Sequence, residues 1–297
     1  MKDYLQKAYA FDGTVRIYAV HTTNLVNEAQ KVHDLWPTAT AALGRLLTAS
    51  VTMGAMYKGA LDHDDHELSI RFDANGPLEG MVATTNSKGQ VRGYVGNPHV
   101  FLQYDSGKLN VGQAVGQGQI HVTKDLKVRD IFTSSVEITS GEVAEDFAYY
   151  FTSSEQIPSA VSLGVKVDED NTVLSAGGFI LQLMPGYKEE TVKKIEDKLK
   201  NFPSISCLLE DNFTPEDIIN SLTDGDYKLL EKMDLEYYCD CNREKFERGL
   251  ISLGSDQLKS ILQEDGQIET TCHFCSAKYT FNESDIEQLI QESKSKK

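Results

Sequence analysis

The chain of 297 residues carries a formal net charge of −16 at pH 7, and its sequence pI is about 4.8. This charge argues against binding to nucleic-acid backbones or anionic membrane surfaces, because both repel an acidic protein. The length favours one large domain with one or two small ones, and a hydrophobic content of 40% argues against a disordered chain.

Residues 1–185 have the pattern of one α+β domain. Alternating apolar side chains predict a strand over residues 15–20, and helical spacing predicts helices over residues 25–36 and 37–58. The remaining predicted strands cover residues 68–73, 81–83, 91–95, 120–122, 136–138, 161–167 and 172–184. Together these elements predict a large, mainly antiparallel sheet with helices packed against it.

The most apolar stretch, residues 38–57, is about long enough to span a bilayer, but it contains Arg45 and many small polar residues. We therefore predict a buried core helix rather than a membrane span. The N-terminus lacks the apolar region of a signal peptide, so we expect a cytoplasmic protein in a reducing compartment. Its five cysteines are then expected to be free thiols or metal ligands.

The remainder of the chain is predicted to form a helical connector and a small module. Residues 186–236 have the composition of short charged helices with little apolar surface, so their order would depend on neighbouring structure. Cys207 lies in one of these helices and is predicted to be a buried free thiol. The module, residues 237–297, is predicted to contain helices capped by Asn242 and Ser255, a hairpin over residues 268–281 and a last helix over residues 283–293.

Four of the five cysteines form two tight pairs in this module. Cys239 and Cys241 form a Cys-x-Cys pair, and Cys272 and Cys275 form a Cys-x-x-Cys pair, with thirty residues between the pairs. Both spacings allow two sulfurs to bind one metal, and four thiolates satisfy the closed tetrahedral site that Zn²⁺ prefers. The sequence therefore predicts one zinc site. Because the same sulfurs cannot bind zinc once they form disulfides, the site could also act as a switch.

Other interpretations of these cysteines remain open. The zinc could simply stabilise a module that is too small for a good core. Alternatively, the Cys-x-x-Cys pair could belong to a thiol–disulfide oxidoreductase, although in such enzymes the first cysteine lies at the start of a helix and here the pair lies in a predicted hairpin. A nucleic-acid-binding ribbon is disfavoured because residues 232–297 contain thirteen Asp/Glu and nine Lys/Arg. His273 could replace one cysteine ligand, and the acidic, histidine-containing residues 61–67 could bind a metal weakly or form a solvated loop.

Three further stretches are distinctive: residues 36–45 (WPTATAALGR), 154–159 (SEQIPS) and 176–186 (AGGFILQLMPG). Together with the two cysteine pairs near the C-terminal end, they resemble the bacterial heat shock protein thirty-three family of redox-regulated chaperones. The resemblance covers essentially the whole chain. Cys207 is an addition that the family pattern does not explain.

This resemblance implies an ATP-independent holdase, a chaperone and not an enzyme, which binds unfolded or misfolded client proteins. In the reduced state, Zn²⁺ on Cys239, Cys241, Cys272 and Cys275 would keep the module folded and the chaperone inactive. Oxidation would form the disulfides Cys239–Cys241 and Cys272–Cys275, release zinc, and unfold the module and the connector. The activated form would dimerise and keep damaged proteins from aggregating under oxidative stress.

Overall fold

The computed structural model describes residues 1–58, 66–127 and 130–295. The chain divides into two compact units, Met1–Tyr238 and Cys239–Lys297. Helices of the first unit are α1 (Thr23–His33), α2 (Pro37–Met56), α3 (Val111–Val115), α4 (Ala144–Ser153), α5 (Glu189–Lys200), α6 (Ile205–Glu210) and α7 (Pro215–Thr223). Its strands are β1 (Tyr4–Ala10), β2 (Val15–His21), β3 (Glu67–Ala74), β4 (Met81–Asn86), β5 (Gln90–Val95), β6 (Gly118–Asp125), β7 (Phe132–Glu137), β8 (Ser159–Val167), β9 (Val173–Leu183), β10 (Tyr227–Asp234) and β11 (Glu236–Tyr237).

The strands of the first unit form two sheets. One is a five-stranded antiparallel sheet with the order β10-β1-β2-β9-β8. The other has six strands in the order β11-β5-β4-β3-β6-β7, antiparallel except for the parallel pair of β11 and β5. These sheets and their packed helices confirm the predicted α+β class with mainly antiparallel strands.

Helix α2 supplies the centre of the main core. It contacts β8 and β9 of the first sheet as well as β4 and β5 of the second, and every residue from Thr38 to Ala55 is buried. Gly44 permits close packing there, because a Cβ on it would lie 2.6 Å from a methyl carbon of Val26. The charge of Arg45 is compensated by Glu142, whose carboxylate oxygen lies 2.7 Å from the guanidinium. The prediction of a core helix over this stretch is confirmed.

Among the residues that the structure describes, no helix has both the length and the apolar character needed to cross a membrane. Residues 61–65, most of the stretch considered above as a weak metal site or solvated loop, lie outside the described residues.

The region predicted as a connector packs on the five-stranded sheet. Apolar side chains of α5, α6 and α7 form a second core with residues of β1, β2 and β9. The region also contains β10, which the sequence analysis did not predict. The prediction that Cys207 is buried is wrong, since its side chain is exposed. On α6 the neighbours Ile205, Leu208 and Leu209 face the sheet, and the helical rotation of 100° per residue turns position 207 away from them.

The second unit is small. Its elements are α8 (Arg243–Leu253), α9 (Ser255–Asp265), β12 (Ile268–Thr271), β13 (Lys278–Phe281) and α10 (Glu283–Ser295). The two strands pair in antiparallel fashion, which confirms the predicted hairpin. Asn242 caps α8 as predicted, with its side chain accepting a hydrogen bond from the Lys245 amide, whereas α9 begins after Gly254 without a side-chain cap. The core of this unit has seven buried hydrophobic residues: Leu250, Leu258, Ile268, Phe281, Ile286, Leu289 and Ile290.

Candidate metal centre

The hairpin of β12 and β13 positions one cysteine pair in its turn. The amide of Cys272 donates to the carbonyl of Ala277 at 2.9 Å, and the amide of Ser276 donates back to the carbonyl of Cys272 at 2.8 Å. Ser276 adopts a left-handed conformation with φ of 58°. These bonds close the turn tightly and hold Cys272 and Cys275 on one side of it, as expected for a metal-binding knuckle.

The other pair lies in the segment just before α8. Asp240, between Cys239 and Cys241, forms an ion pair with Lys245 in the first turn of the helix. Arg243 begins this helix, and its guanidinium lies 2.7 Å from Asp285 and 4.2 Å from the centre of the Phe281 ring. These contacts link the cysteine segment to β13 and α10, so the two cysteine pairs are brought together by the fold of the unit.

The four sulfurs converge. The Sγ atoms of Cys239 and Cys272 are 3.8 Å apart, and those of Cys241 and Cys275 are 3.2 Å apart. All four lie within 4.8 Å of one another, and among residues 1–58, 66–127 and 130–295 they form the only such group of metal-binding side chains. Cys272 is buried, while the other three are partly exposed. His273, the alternative ligand considered from sequence, is exposed and does not belong to the group.

This arrangement fits a metal ion bound by four thiolates. Tetrahedral zinc with Zn–S bonds of about 2.3 Å places its sulfurs about 3.8 Å apart, a spacing close to the distances observed. A set of four sulfurs with no oxygen ligand favours Zn²⁺ or another thiophilic metal over Mg²⁺ or Ca²⁺. The cluster can therefore hold a metal ion, and its donor set suits zinc.

The environment of the sulfurs also favours a bound cation. Burial raises the pKa of the Cys239 thiol and that of the Cys275 thiol. Burial acts on Cys241 as well, but the hydrogen bond from Tyr279 and the neighbouring sulfurs outweigh it and hold the pKa of Cys241 below its usual range. Without a cation these four groups could not all ionise at such short distances, whereas a divalent ion would stabilise all four thiolates together.

Tyr279 is a site residue that the sequence analysis missed. Its hydroxyl lies 3.2 Å from the Sγ of Cys241, and this hydrogen bond raises the pKa of Tyr279 to about 12, so the hydroxyl keeps the proton that it donates. The ring packs on Phe246 of α8, with centroids 4.8 Å apart. Nothing in the spacing of the cysteines indicates this contact, because it depends on the approach of the segment before α8 to β13 in the folded unit.

Comparisons with known proteins bear on the whole chain. A family model described as Hsp33 protein matches residues 3–282. A 33 kDa chaperonin of Geobacillus sp. (strain WCH70) is 49% identical over 299 residues and covers 100% of both chains. The 33 kDa chaperonin of Bacillus subtilis (strain 168) is 48% identical over 289 residues, covering 97% of this chain and 98% of its own.

A solved structure agrees with these relatives. The crystal structure of the 33 kDa chaperonin, a heat shock protein 33 homologue, of Thermotoga maritima superposes with a TM-score of 0.90 at 37% sequence identity. The match covers 99% of this chain and 100% of that one, so the similarity extends through both units.

Proposed function

The chain belongs to the Hsp33 family, and from this premise we propose that it is a redox-regulated, ATP-independent holdase of the cytoplasm. Its relatives are named chaperonins, so the chain is a chaperone and not an enzyme. The proposal goes further in placing its control at the cysteine cluster. The observation that carries this step is the convergence of four sulfurs, two from each pair, within 4.8 Å of one another.

In the reduced state, Cys239, Cys241, Cys272 and Cys275 would bind one Zn²⁺ per chain. Bound zinc supplies the positive charge that keeps all four sulfurs ionised and ties the segment before α8 to the hairpin. The second unit would depend on this link because its core has only seven buried hydrophobic residues among the part of the unit that the structure describes. A hydrophobic core in a unit of this size supplies only marginal stability, and a structural metal is one common way to supplement it. Loss of the link would therefore unfold the unit.

Oxidation would convert the four thiolates into two disulfides. For each disulfide, two thiolates give two electrons to one molecule of hydrogen peroxide, which takes up two protons and is reduced to two molecules of water. We propose the pairs Cys239–Cys241 and Cys272–Cys275. In the folded unit each of these cysteines contacts a sulfur of the other pair, so pairing of neighbours would follow loosening of the unit, when short loops close most easily.

The active state would bind unfolded or misfolded proteins through surface that is covered in the reduced state. The second core, between α5–α7 and the five-stranded sheet, is one source of such surface. The active chaperone would form homodimers. Nucleic acid is not an expected partner, because the net charge of −16 repels phosphate backbones.

The proposal is tested by counting zinc and thiols on reduced and peroxide-treated protein and measuring suppression of aggregation of a heat-denatured client. Reduced protein should hold about one zinc and suppress little, whereas oxidised protein should have released it and suppress strongly. Equal suppression before and after oxidation would indicate a constitutive binding protein with purely structural zinc. Catalytic turnover of an insulin disulfide would instead indicate an oxidoreductase.

A further inference from the structure

The twelve residues before Cys239 contain β10 and β11, and each of these strands lies at an edge of one of the two sheets. Strand β10 pairs with β1, from Tyr4 opposite Asp234 to Ala10 opposite Tyr227. After Leu235, strand β11 pairs with β5 at the edge of the other sheet. The amide of Tyr238 still donates to the carbonyl of Val91 at 2.9 Å. The next residue in the chain is a cysteine of the metal centre, so the segment 227–238, here called the edge segment, leads directly into that site.

The edge segment is attached mainly through its backbone. Of its side chains, only Met233 and Leu235 are buried. The ion pair between Lys2 and Asp234 is highly exposed on both sides, and exposed pairs of this kind contribute little to stability. Side chains add contacts at the end of the segment, where the hydroxyl of Tyr237 donates to the carbonyl of Gly93 at 2.9 Å. In β10 itself Lys232 contacts Glu216 and the ring of Tyr4, but the continuous attachment is the backbone pairing with β1.

The pairing of β10 also contains an irregularity. The register shifts between Gln6 and Ala8, because β10 has one extra residue there. The side-chain amide of Gln6 donates to the carbonyl of Leu230 at 3.1 Å and to that of Glu231 at 3.3 Å. A bulge interrupts the ladder of hydrogen bonds and bends the strand, so it weakens the attachment of β10 at its centre.

Strand β1, by contrast, is firmly held on its other side. It pairs with β2 without interruption through all seven of its residues, and β2 continues the sheet into β9. Detachment of β10 would therefore leave β1 in place as an open edge. Such an edge presents a row of unpaired amide and carbonyl groups to any extended polypeptide.

We propose that the edge of β1 is a binding site for extended segments of unfolded client proteins, and that β10 occupies this site in the reduced chain. The inference rests on the proposed function, because unfolding of the cysteine unit would remove the restraint at the end of the edge segment and let it detach. A client segment would then add to the sheet as a new antiparallel strand, replacing β10 bond for bond.

The occupant of this site is indicated by the strand that fills it now. Backbone hydrogen bonds supply most of the attachment of β10, and these are available from any sequence that lacks proline. Side-chain selection would be limited to an apolar residue opposite Leu5, where Met233 is buried. A site of this kind suits a chaperone, since it recognises an unfolded, extended backbone rather than a particular sequence.

A labelled synthetic peptide of residues 226–238 tests the proposal on the full-length protein. It should bind the oxidised protein but not the reduced one, in which β10 fills the site. Single N-methyl groups placed in turn on residues 227–229 and 232–234 should weaken binding at least about tenfold at alternate positions on each side of the bulge. Only every second amide of an edge strand points at its neighbour. A loss of affinity at every second methylated position would therefore indicate strand pairing, whereas binding through side chains would show no such pattern.

Hydrogen exchange of the β1 amides, Tyr4–Ala10, provides a second measurement. Exchange in the oxidised protein should accelerate relative to the reduced protein and slow again when a client is bound. The proposal is overturned if the peptide does not bind oxidised protein, if methylation shows no alternation, or if clients leave β1 exchange unchanged. Failure of the proposed function would give a different result. The oxidised protein would then not suppress aggregation of a client even when no peptide is present.

Discussion

The carbonyl oxygen of Asp234 lies 2.3 Å from the position that a Cβ atom would occupy on Gly89. Gly89 is in the turn between β4 and β5 and has φ of 82°, and its own carbonyl accepts a hydrogen bond from the amide of Glu236. The turn of one sheet therefore holds the end of β10 through a contact that only glycine allows.

We predict that Gly89→Ala loosens the edge segment in the reduced protein. The added methyl group would collide with backbone, which cannot move aside as a flexible side chain can, so β10 should detach more often. Hydrogen exchange of the β10 amides should rise at least tenfold, and less peroxide should be needed for activation. Gly107→Ala is the matched control, because Gly107 has φ of 80° but nothing lies within 4 Å of the position that its added methyl group would occupy. Equal effects of the two substitutions would contradict the prediction.

The side chain of Gln6 gives a second way to test the attachment of β10. Gln6→Met keeps a buried side chain of similar length but removes the donor for the carbonyls of Leu230 and Glu231. Leaving these acceptors without their protein donor should cost about 1–2 kcal/mol, equivalent to about tenfold faster exchange of the β10 amides. Gln119→Met, at an exposed position on β6, is the control. No difference between the two variants would show that the bulge does not depend on Gln6.

The hydroxyl of Tyr279 is predicted to strengthen metal binding. Tyr279→Phe retains the ring that packs on Phe246 and removes only the hydrogen bond to Cys241. Loss of such a contact with a ligand typically lowers metal affinity 10–100-fold. Competition with a chromogenic chelator should therefore show zinc released at lower chelator concentration, while circular dichroism of the zinc-loaded variant stays like that of the parent. Unchanged affinity would mean that the hydroxyl has only a packing role.

Cys272→Ser should uncouple the second unit from the redox state. Cys272 is the buried member of the cluster, and serine is a poor substitute for a thiolate ligand of zinc. The reduced variant should bind less zinc, and limited proteolysis should cut the second unit without added oxidant. Cys207→Ser, which changes an exposed thiol outside the cluster, should retain the zinc content and protease resistance of the parent. The prediction fails if both variants behave like the parent.

The grouping of four cysteines that could hold a metal ion was predictable because its signal is local. Two cysteines separated by one or two residues can bind the same metal ion. The residues on either side of the second pair already predict a hairpin. The cap of α8 by Asn242 is local in the same way. Tyr279 could not be predicted, since its contact with Cys241 joins residues that only the folded unit brings together.

Long-range pairing explains what the sequence did not indicate in the first unit. Strand β10 is rich in charged residues and lies at a sheet edge, so it lacks the alternation of a strand with one buried face. Thr22, a residue type that often caps helices, precedes α1 but makes no side-chain capping bond. The carboxylate of Asp3 accepts hydrogen bonds from the amides of Asn24 and Leu25 instead. A cap supplied by Asp3, which precedes β1 and is about twenty residues away in sequence, leaves no pattern near the helix.

Tyr18 leads to a prediction about pH. It lies on β2 with its ring fully buried, and its hydroxyl has no hydrogen-bond partner among the residues that the structure describes. Burial raises the pKa of Tyr18 to about 12, although the nearby charge of Arg16 acts in the opposite direction. In the unfolded chain a tyrosine loses its proton near pH 10. The contribution of Tyr18 to stability is therefore complete below pH 10 and declines as the pH rises towards 12.

Tyr18→Phe should remove this part of the alkaline dependence. A difference of about two pKa units corresponds to about 2 to 3 kcal/mol in the free energy of unfolding across that range. Urea unfolding of reduced protein at pH 8, 10 and 11.5 would measure it. At pH 8 the variant should be at least as stable as the parent, because no hydrogen bond is lost, and its advantage should grow with pH. If the free energies of unfolding of variant and parent differ by the same amount at all three pH values, the buried hydroxyl does not ionise on unfolding. Groups such as Lys124 and Tyr150 would then dominate the alkaline transition.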